Sequence, residues 1–195
     1  MDIKQFKQYL LNKLYEPYLN CVECPLGTLG RTTVVFGDGN PDARIMIIGE
    51  APGKNEDEGG KPFIGRAGKV LDEGLKVAGI NREDVFITNV VKCRPPKNRK
   101  PKPIESGTCK NLLLFNQIKI IQPSIIITLG ATPYEALLEK KDPISSYRGK
   151  LHQVLGIDLL PTFHPAYILR NPKARDLLYV DIISAANIAK KLPAK

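Results

Sequence analysis

Four cysteines are the most chemically loaded residues of the chain. Cys21 and Cys24 lie two residues apart, Cys93 follows after sixty-eight residues and Cys109 after fifteen more. A zinc ribbon repeats the close pair, whereas here one pair is close and the other two thiols are spread out. The spacing tilts toward iron, because four thiolates suffice for a four-iron four-sulfur cluster and a proline beside cysteine, as at Pro25, suits one. Structural zinc and unligated buried thiols stay open on spacing alone. With no open coordination position or redox partner in view, either metal would act as a staple.

A second group is Gly49-Glu50-Ala51-Pro52-Gly53, followed by Glu56, Asp57, Glu58 and then Gly59-Gly60-Lys61-Pro62-Phe63-Ile64-Gly65. It has no Lys-Ser/Thr of a P-loop, and its acids would repel a phosphate. A rigid glycine-proline backbone beside a carboxylate suits a water or a neutral ring instead. Phe63, set among polar loop residues, is a candidate to stack on a flat ligand as well as a core residue. Asn89 carries both a donor and an acceptor for a nucleobase edge, with a turn as the plain alternative. His164, in Thr162-Phe163-His164-Pro165, is the more telling of two histidines; His152 falls in an expected loop. Beyond His164, Ile168 and Leu169 stand near Arg170, Lys173 and Arg175, a combination that suits an apolar wedge in a base stack with cations on phosphates; the cap of the last helix is the alternative.

These residues need strands and helices to position them. Four short apolar runs read as buried strands: Arg44–Gly49, Val85–Val91, Ser124–Leu129 and Asp158–Phe163. Helical spacing marks Met1–Leu14, Ala67–Ala78, Asn111–Ile121, Pro133–Leu138 and Asp176–Lys191. The alternation predicts an α/β fold, a parallel sheet between helix layers, with its site beyond the carboxyl ends of the strands. Glu50, Asn89, Gly130 and His164 all fall there. No repeat or linker divides residues 1–195, so a single domain is expected.

The 195 residues carry 29 Lys and Arg against 20 Asp and Glu, a net charge of +9, which favours a polyanionic partner such as nucleic acid. Lys92–Pro103 holds six basic residues, four prolines and no acid, and reads as an extended cationic loop pinned by Cys93. The amino terminus shows no export signal and no apolar run is long enough for a bilayer, so no membrane association and a cytoplasmic location are expected.

Taken together, Gly49–Gly53 with Glu56-Asp57, Pro62–Gly68, Thr88–Pro95 and His164–Arg170 resemble, in order and spacing, the family 4, thermostable-type uracil-DNA glycosylases, and the four cysteines match as well. The likeness covers about residues 20 to 190. It implies a three-layer α/β/α sandwich around a four-stranded parallel sheet, and a structural 4Fe-4S cluster on Cys21, Cys24, Cys93 and Cys109. It implies hydrolysis of the N-glycosidic bond of uracil in single- or double-stranded DNA, leaving an abasic site as the first step of base excision repair.

The resemblance also assigns roles. Phe63 would stack on the flipped uracil, and Asn89 would accept from its N3–H and donate to O4, the reverse of what cytosine offers. Glu56 would stand near C5, against the methyl of thymine. His164 would stabilise the departing anion at O2. Glu50 would hold the attacking water, since the position where other uracil glycosylases carry a carboxylate is Ala51; Ala51 and Gly53 would complete the uracil pocket. Arg94, Lys97, Arg99 and Arg170 would meet phosphates, with Leu169 or Ile168 filling the gap left by the extruded nucleotide. A monomer is expected, and no terminal peptide supports contact with a replication clamp. Two rivals are a noncatalytic iron-sulfur DNA-binding module and a phosphohydrolase, the latter resting only on the acids at Glu56–Glu58.

Overall fold

The computed structural model describes residues 1–192. Six strands form one sheet: β1 (Asp38–Gly39), β2 (Ile45–Gly49), β3 (Phe86–Asn89), β4 (Ile125–Leu129), β5 (His152–Val154) and β6 (Ile157–Thr162), in the order β1-β3-β2-β4-β6-β5. The inner strands β3, β2, β4 and β6 are parallel, and every residue of β2, β3 and β4 is buried. Such strands read as unbroken apolar runs because helices cover both faces. The sheet thus has six strands where four were expected. The extra two are antiparallel edges of two and three residues, too short and polar to register as apolar runs. His152 opens one of them instead of lying in a loop.

The helices are α1 (Ile3–Tyr15), α2 (Lys54–Gly59), α3 (Arg66–Val77), α4 (Pro103–Cys109), α5 (Phe115–Ile121), α6 (Ala131–Leu138), α7 (Ile144–Tyr147), α8 (Pro165–Arg170) and α9 (Arg175–Lys191). Side chains alternate across a strand, so β2 sends Met46 and Ile48 into a core with Leu11 of α1, Ile118 of α5 and Tyr134 of α6. Ile45 and Ile47 enter a second core with Leu71 of α3, Ile168 of α8 and Ile182 of α9. The expected helix at Asn111–Ile121 begins earlier: Pro103, which needs no N–H at a first helical position, starts α4, and a wider π turn over Lys110–Leu114 follows Cys109 into α5.

After β2 the chain forms β3 on one side, then crosses to form β4 on the other. This reversal opens a crevice at the carboxyl ends of β2 and β4, where ligands of open α/β sheets bind. No helix among the described residues is long and apolar enough to cross a membrane.

Candidate active site

The crevice is an open cavity whose walls include Glu50, Ala51 and Gly53 after β2, Asn89 at the end of β3, Gly130 and Thr132 after β4, and His164 after β6. Glu56, Phe63, Arg99 and Arg170 line it too. Residues far apart in the chain meet because they share one topological position, the end of a parallel strand.

Asn89 lies at the bottom, 1% exposed, and its Oδ1 is buried without a hydrogen-bond partner. A buried orphan acceptor costs on the order of 1–3 kcal/mol, so its retention points to a donor that arrives with a ligand. Its backbone is held from below: Lys92 Nζ donates to Asn89 O at 2.6 Å, Thr88 Oγ1 at 2.6 Å and Gln117 Oε1 at 2.7 Å. Burial pushes the Lys92 ammonium down to about 7, against the opposing pull of nearby Cys109 and Cys93.

Phe63 stands beside Asn89 in a left-handed backbone conformation (φ 53°), a strained state of the kind that clusters at ligand sites. Its ring is 5.7 Å from that of His164. Gly49 makes the approach possible: a Cβ there would fall 2.4 Å from Asn89 Oδ1 and 2.5 Å from Phe63 Cζ. Gly49→Ala is therefore expected to cut turnover by at least about 100-fold through displacement of both side chains, measured as kcat/KM for base release. Turnover unchanged from wild type would contradict this geometry.

His164 caps α8, its Nδ1 accepting from Ala166 N at 3.0 Å. An acceptor Nδ1 places the ring proton on Nε2, so the neutral ring is a donor. Burial, with Arg170 adding to it, pushes the imidazole down to about 4. Gly130, at φ +89°, leaves room for this ring; a Cβ there would stand 3.2 Å from His164 Cβ.

Glu50 sits at the N-terminus of α6, the end whose dipole favours an anion, and its Oε2 accepts from the Thr132 hydroxyl. Glu56 lines the cavity, but its carboxylate accepts from the backbone N–H groups of Gly53, Ile64 and Gly65 at 3.1, 3.1 and 2.8 Å, knitting the two glycine turns together. Asp57 is buried and takes the N–H groups of Thr32 and Thr33. The acidic run is thus dispersed into structural bonds, which removes the feature that favoured a phosphohydrolase.

The Lys92–Pro103 segment is less extended than its composition predicts. Lys92 is internal, Pro96–Asn98 forms a 3₁₀ turn, and Arg99 grips the fully buried Glu105 with two nitrogens at 2.8 and 2.7 Å. Lys100 pairs with Glu135 at 2.9 Å. Arg94 donates to Asn98, while Lys97 is exposed and, among the described residues, makes no salt bridge; nor does Arg170 on the cavity rim. Of the two wedge candidates, Ile168 is 0% exposed in the core and Leu169 packs against that core. The large apolar side chain of this segment that faces outward is Tyr167, 38% exposed and stacked on Phe163 at 5.0 Å. Sequence reasoning missed Tyr167 as well as Thr132, although Thr132 follows a strand-end glycine by two residues.

Next to Lys92, the four free cysteines line a single pocket with Leu26, Val34, Val91, Leu112 and Leu113. Burial pushes the Cys93 thiol up to about 12 and that of Cys109 up to about 11. The Gly27 N–H donates to the Cys24 carbonyl at 2.9 Å. Among the described residues no three Cys, His, Asp or Glu side chains converge as ligands of one metal ion.

The profile of the Uracil DNA glycosylase superfamily matches residues 36–186, which contain β1 to β6 and every cavity residue named above. The chain is 46% identical over 189 residues to the Type-4 uracil-DNA glycosylase of Thermotoga maritima, covering 95% of this chain and 97% of that protein. It is 44% identical over 188 residues to the Type-4 uracil-DNA glycosylase of Sulfurisphaera tokodaii, covering 92% and 84%. To the Type-5 uracil-DNA glycosylase of Thermus thermophilus it is 32% identical over 149 residues, covering 67% and 68%. The chain belongs to the uracil DNA glycosylase superfamily, and within it to the type-4 group.

Proposed function

We propose that this protein hydrolyses the N-glycosidic bond of uracil in DNA, and that the cavity at the strand ends receives the extruded base. The observation that carries the reading is the orphaned Asn89 Oδ1 in a cavity that Phe63 and His164 also line, their rings 5.7 Å apart. Uracil supplies the missing donor at N3–H and an acceptor at O4 for the Asn89 amide; cytosine supplies the opposite pair and leaves both groups unmatched. Phe63 stacks on the base, Ala51 and Gly53 line it, and Glu56 holds the loops that wall its C5 edge, so that thymine's methyl meets a rigid barrier. His164 Nε2–H stabilises negative charge at O2 as the base leaves. Glu50 holds the water that attacks the sugar.

Base release followed by strand scission only after alkali, on an end-labelled oligonucleotide with one uracil, is the expected outcome. Scission without alkali, or no release, would contradict a monofunctional glycosylase.

Cys21, Cys24, Cys93 and Cys109 fit a four-iron four-sulfur cluster. Their four thiols share one pocket walled by Leu26, Val34, Val91, Leu112 and Leu113, the thiolate set and apolar setting such a cluster takes. When bound, the cluster supplies a crosslink between the N-terminal segment and α4. Anaerobically purified protein is expected to be brown and to carry about four irons per chain; a single zinc would contradict the assignment.

Phosphates meet Lys97, Arg94 and Arg170, while Arg99 supports the loop through Glu105. The outward-facing Tyr167, next to Leu169, occupies the position where the duplex is opened. The enzyme acts as a single chain and one domain, in the cytoplasm with its DNA. Lys97→Ala is expected to reduce the slope of log binding constant against log salt by about 1. Arg99→Ala, which leaves buried Glu105 unpaired, is expected to lower the thermal midpoint instead. Equal salt slopes for Lys97→Ala and wild type would remove Lys97 from the interface.

A further inference from the structure

We propose that Thr132 is a positioning residue for Glu50, fixing the carboxylate so that one oxygen is held and the other is left to the attacking water. The inference rests on reading Glu50 as the holder of that water.

Thr132 is 6% exposed, in the first turn of α6, and its hydroxyl donates to Glu50 Oε2 across the crevice between β2 and β4. The backbone on both sides is anchored. Glu50 O accepts from Val91 N at 3.2 Å, and Gly130 N donates to Thr162 O at 2.9 Å. Each strand end is thereby anchored to its outer neighbour, and the hydroxyl spans the gap between the residues that follow β2 and β4.

A glutamate carboxylate turns broadly about its last bond, so unaided it would offer either oxygen in many orientations. A hydroxyl on one oxygen removes that freedom in advance of the reaction. In the step itself the N1–C1′ bond breaks and its electron pair leaves on uracil, where His164 stabilises it. The water oxygen bonds to C1′, the water's proton passes to Glu50 and from there to solvent, and the uracil anion takes a proton from solvent. Thr132 touches neither base nor sugar in this scheme and acts only through Glu50.

The test is single-turnover uracil release by Thr132→Val, Thr132→Ser, Glu50→Gln and the Glu50→Gln/Thr132→Val double variant. Thr132→Val keeps the volume and removes the donor. It is expected to lower the maximal rate about tenfold with half-saturation by the oligonucleotide unchanged, and Thr132→Ser is expected to restore the rate. In the Glu50→Gln background, Thr132→Val is expected to cost nothing further, the non-additivity of two residues acting as one unit. Equal losses in both backgrounds, a serine variant no better than valine, a change in half-saturation alone, or a wild-type rate in Thr132→Val would overturn the role of Thr132. If Glu50→Gln alone keeps the wild-type rate, it is the reading of Glu50 that fails, and the inference falls with it.

Discussion

Replacing Asn89 by alanine is expected to reduce uracil release by about 1,000-fold, mostly in kcat/KM. The side chain is buried at the cavity floor with its Oδ1 unpartnered, so its match is completed only by the base. On the proposed reading, alanine removes both the acceptor for N3–H and the donor for O4. Asn89→Asp preserves shape but turns that donor into a second acceptor facing O4, and a comparable loss is expected. Because Lys92 binds the Asn89 carbonyl and not its side chain, Asn89→Ala should not lower the thermal midpoint, whereas Asn89→Asp, which buries an unpaired carboxylate, should lower it. Single-turnover kinetics beside thermal unfolding checks both statements. Activity within tenfold of wild type in either variant would show that the base is read elsewhere.

The second large effect is at His164. Removing one preorganised donor from a developing anion costs on the order of 100- to 1,000-fold in rate, and His164→Ala is expected to lose that much in kcat with oligonucleotide binding little changed. The pH dependence carries its own signature. With the imidazole pushed down to about 4, the ring is neutral throughout the ordinary range, and the N–H of Ala166 holds the proton on Nε2. The rate of the chemical step should cross pH 6.5 without the decline of an ordinary histidine and fall only near 4. Stability follows the same sign: between 6.5 and about 4 the unfolded chain binds a proton at this site and the native one does not. The contribution of His164 is therefore complete above 6.5 and lost as pH falls toward 4. His164→Gln should flatten that part of the thermal-midpoint profile. A wild-type rate that declines through 6.5 would show that the imidazole is not held neutral.

The inner strands were legible because burial on both faces makes them mostly apolar, as in Ile45–Gly49 and Ile125–Leu129, and the residues at their carboxyl ends include Glu50, Asn89 and His164. The edge strands were not, because β1 is an aspartate and a glycine whose pairing is decided by β3. Lys92 shows the limit of composition. In a run of six basic residues it reads as one more surface charge, yet it is internal, because the Thr88 hydroxyl and Asn89 carbonyl of β3 and the Gln117 amide of α5 gather around it. Glu56 and Arg99 line the cavity, and what the sequence does not show is their protein partners: a carboxylate that binds three backbone N–H groups and a guanidinium that binds a buried glutamate look the same in sequence as groups facing a ligand. In the segment after His164, which side chain faces outward depends on the phase of a six-residue helix, which buries Ile168 and presents Tyr167.

The most direct test of the account is base release by the wild-type protein from three otherwise identical duplexes carrying U, T or C opposite G, with the free base quantified by chromatography. Release from the uracil duplex alone is the expected result, since uracil alone satisfies the Asn89 amide without a methyl at C5. Release of cytosine at a comparable rate, or of no base from any duplex by protein carrying its iron, would contradict it.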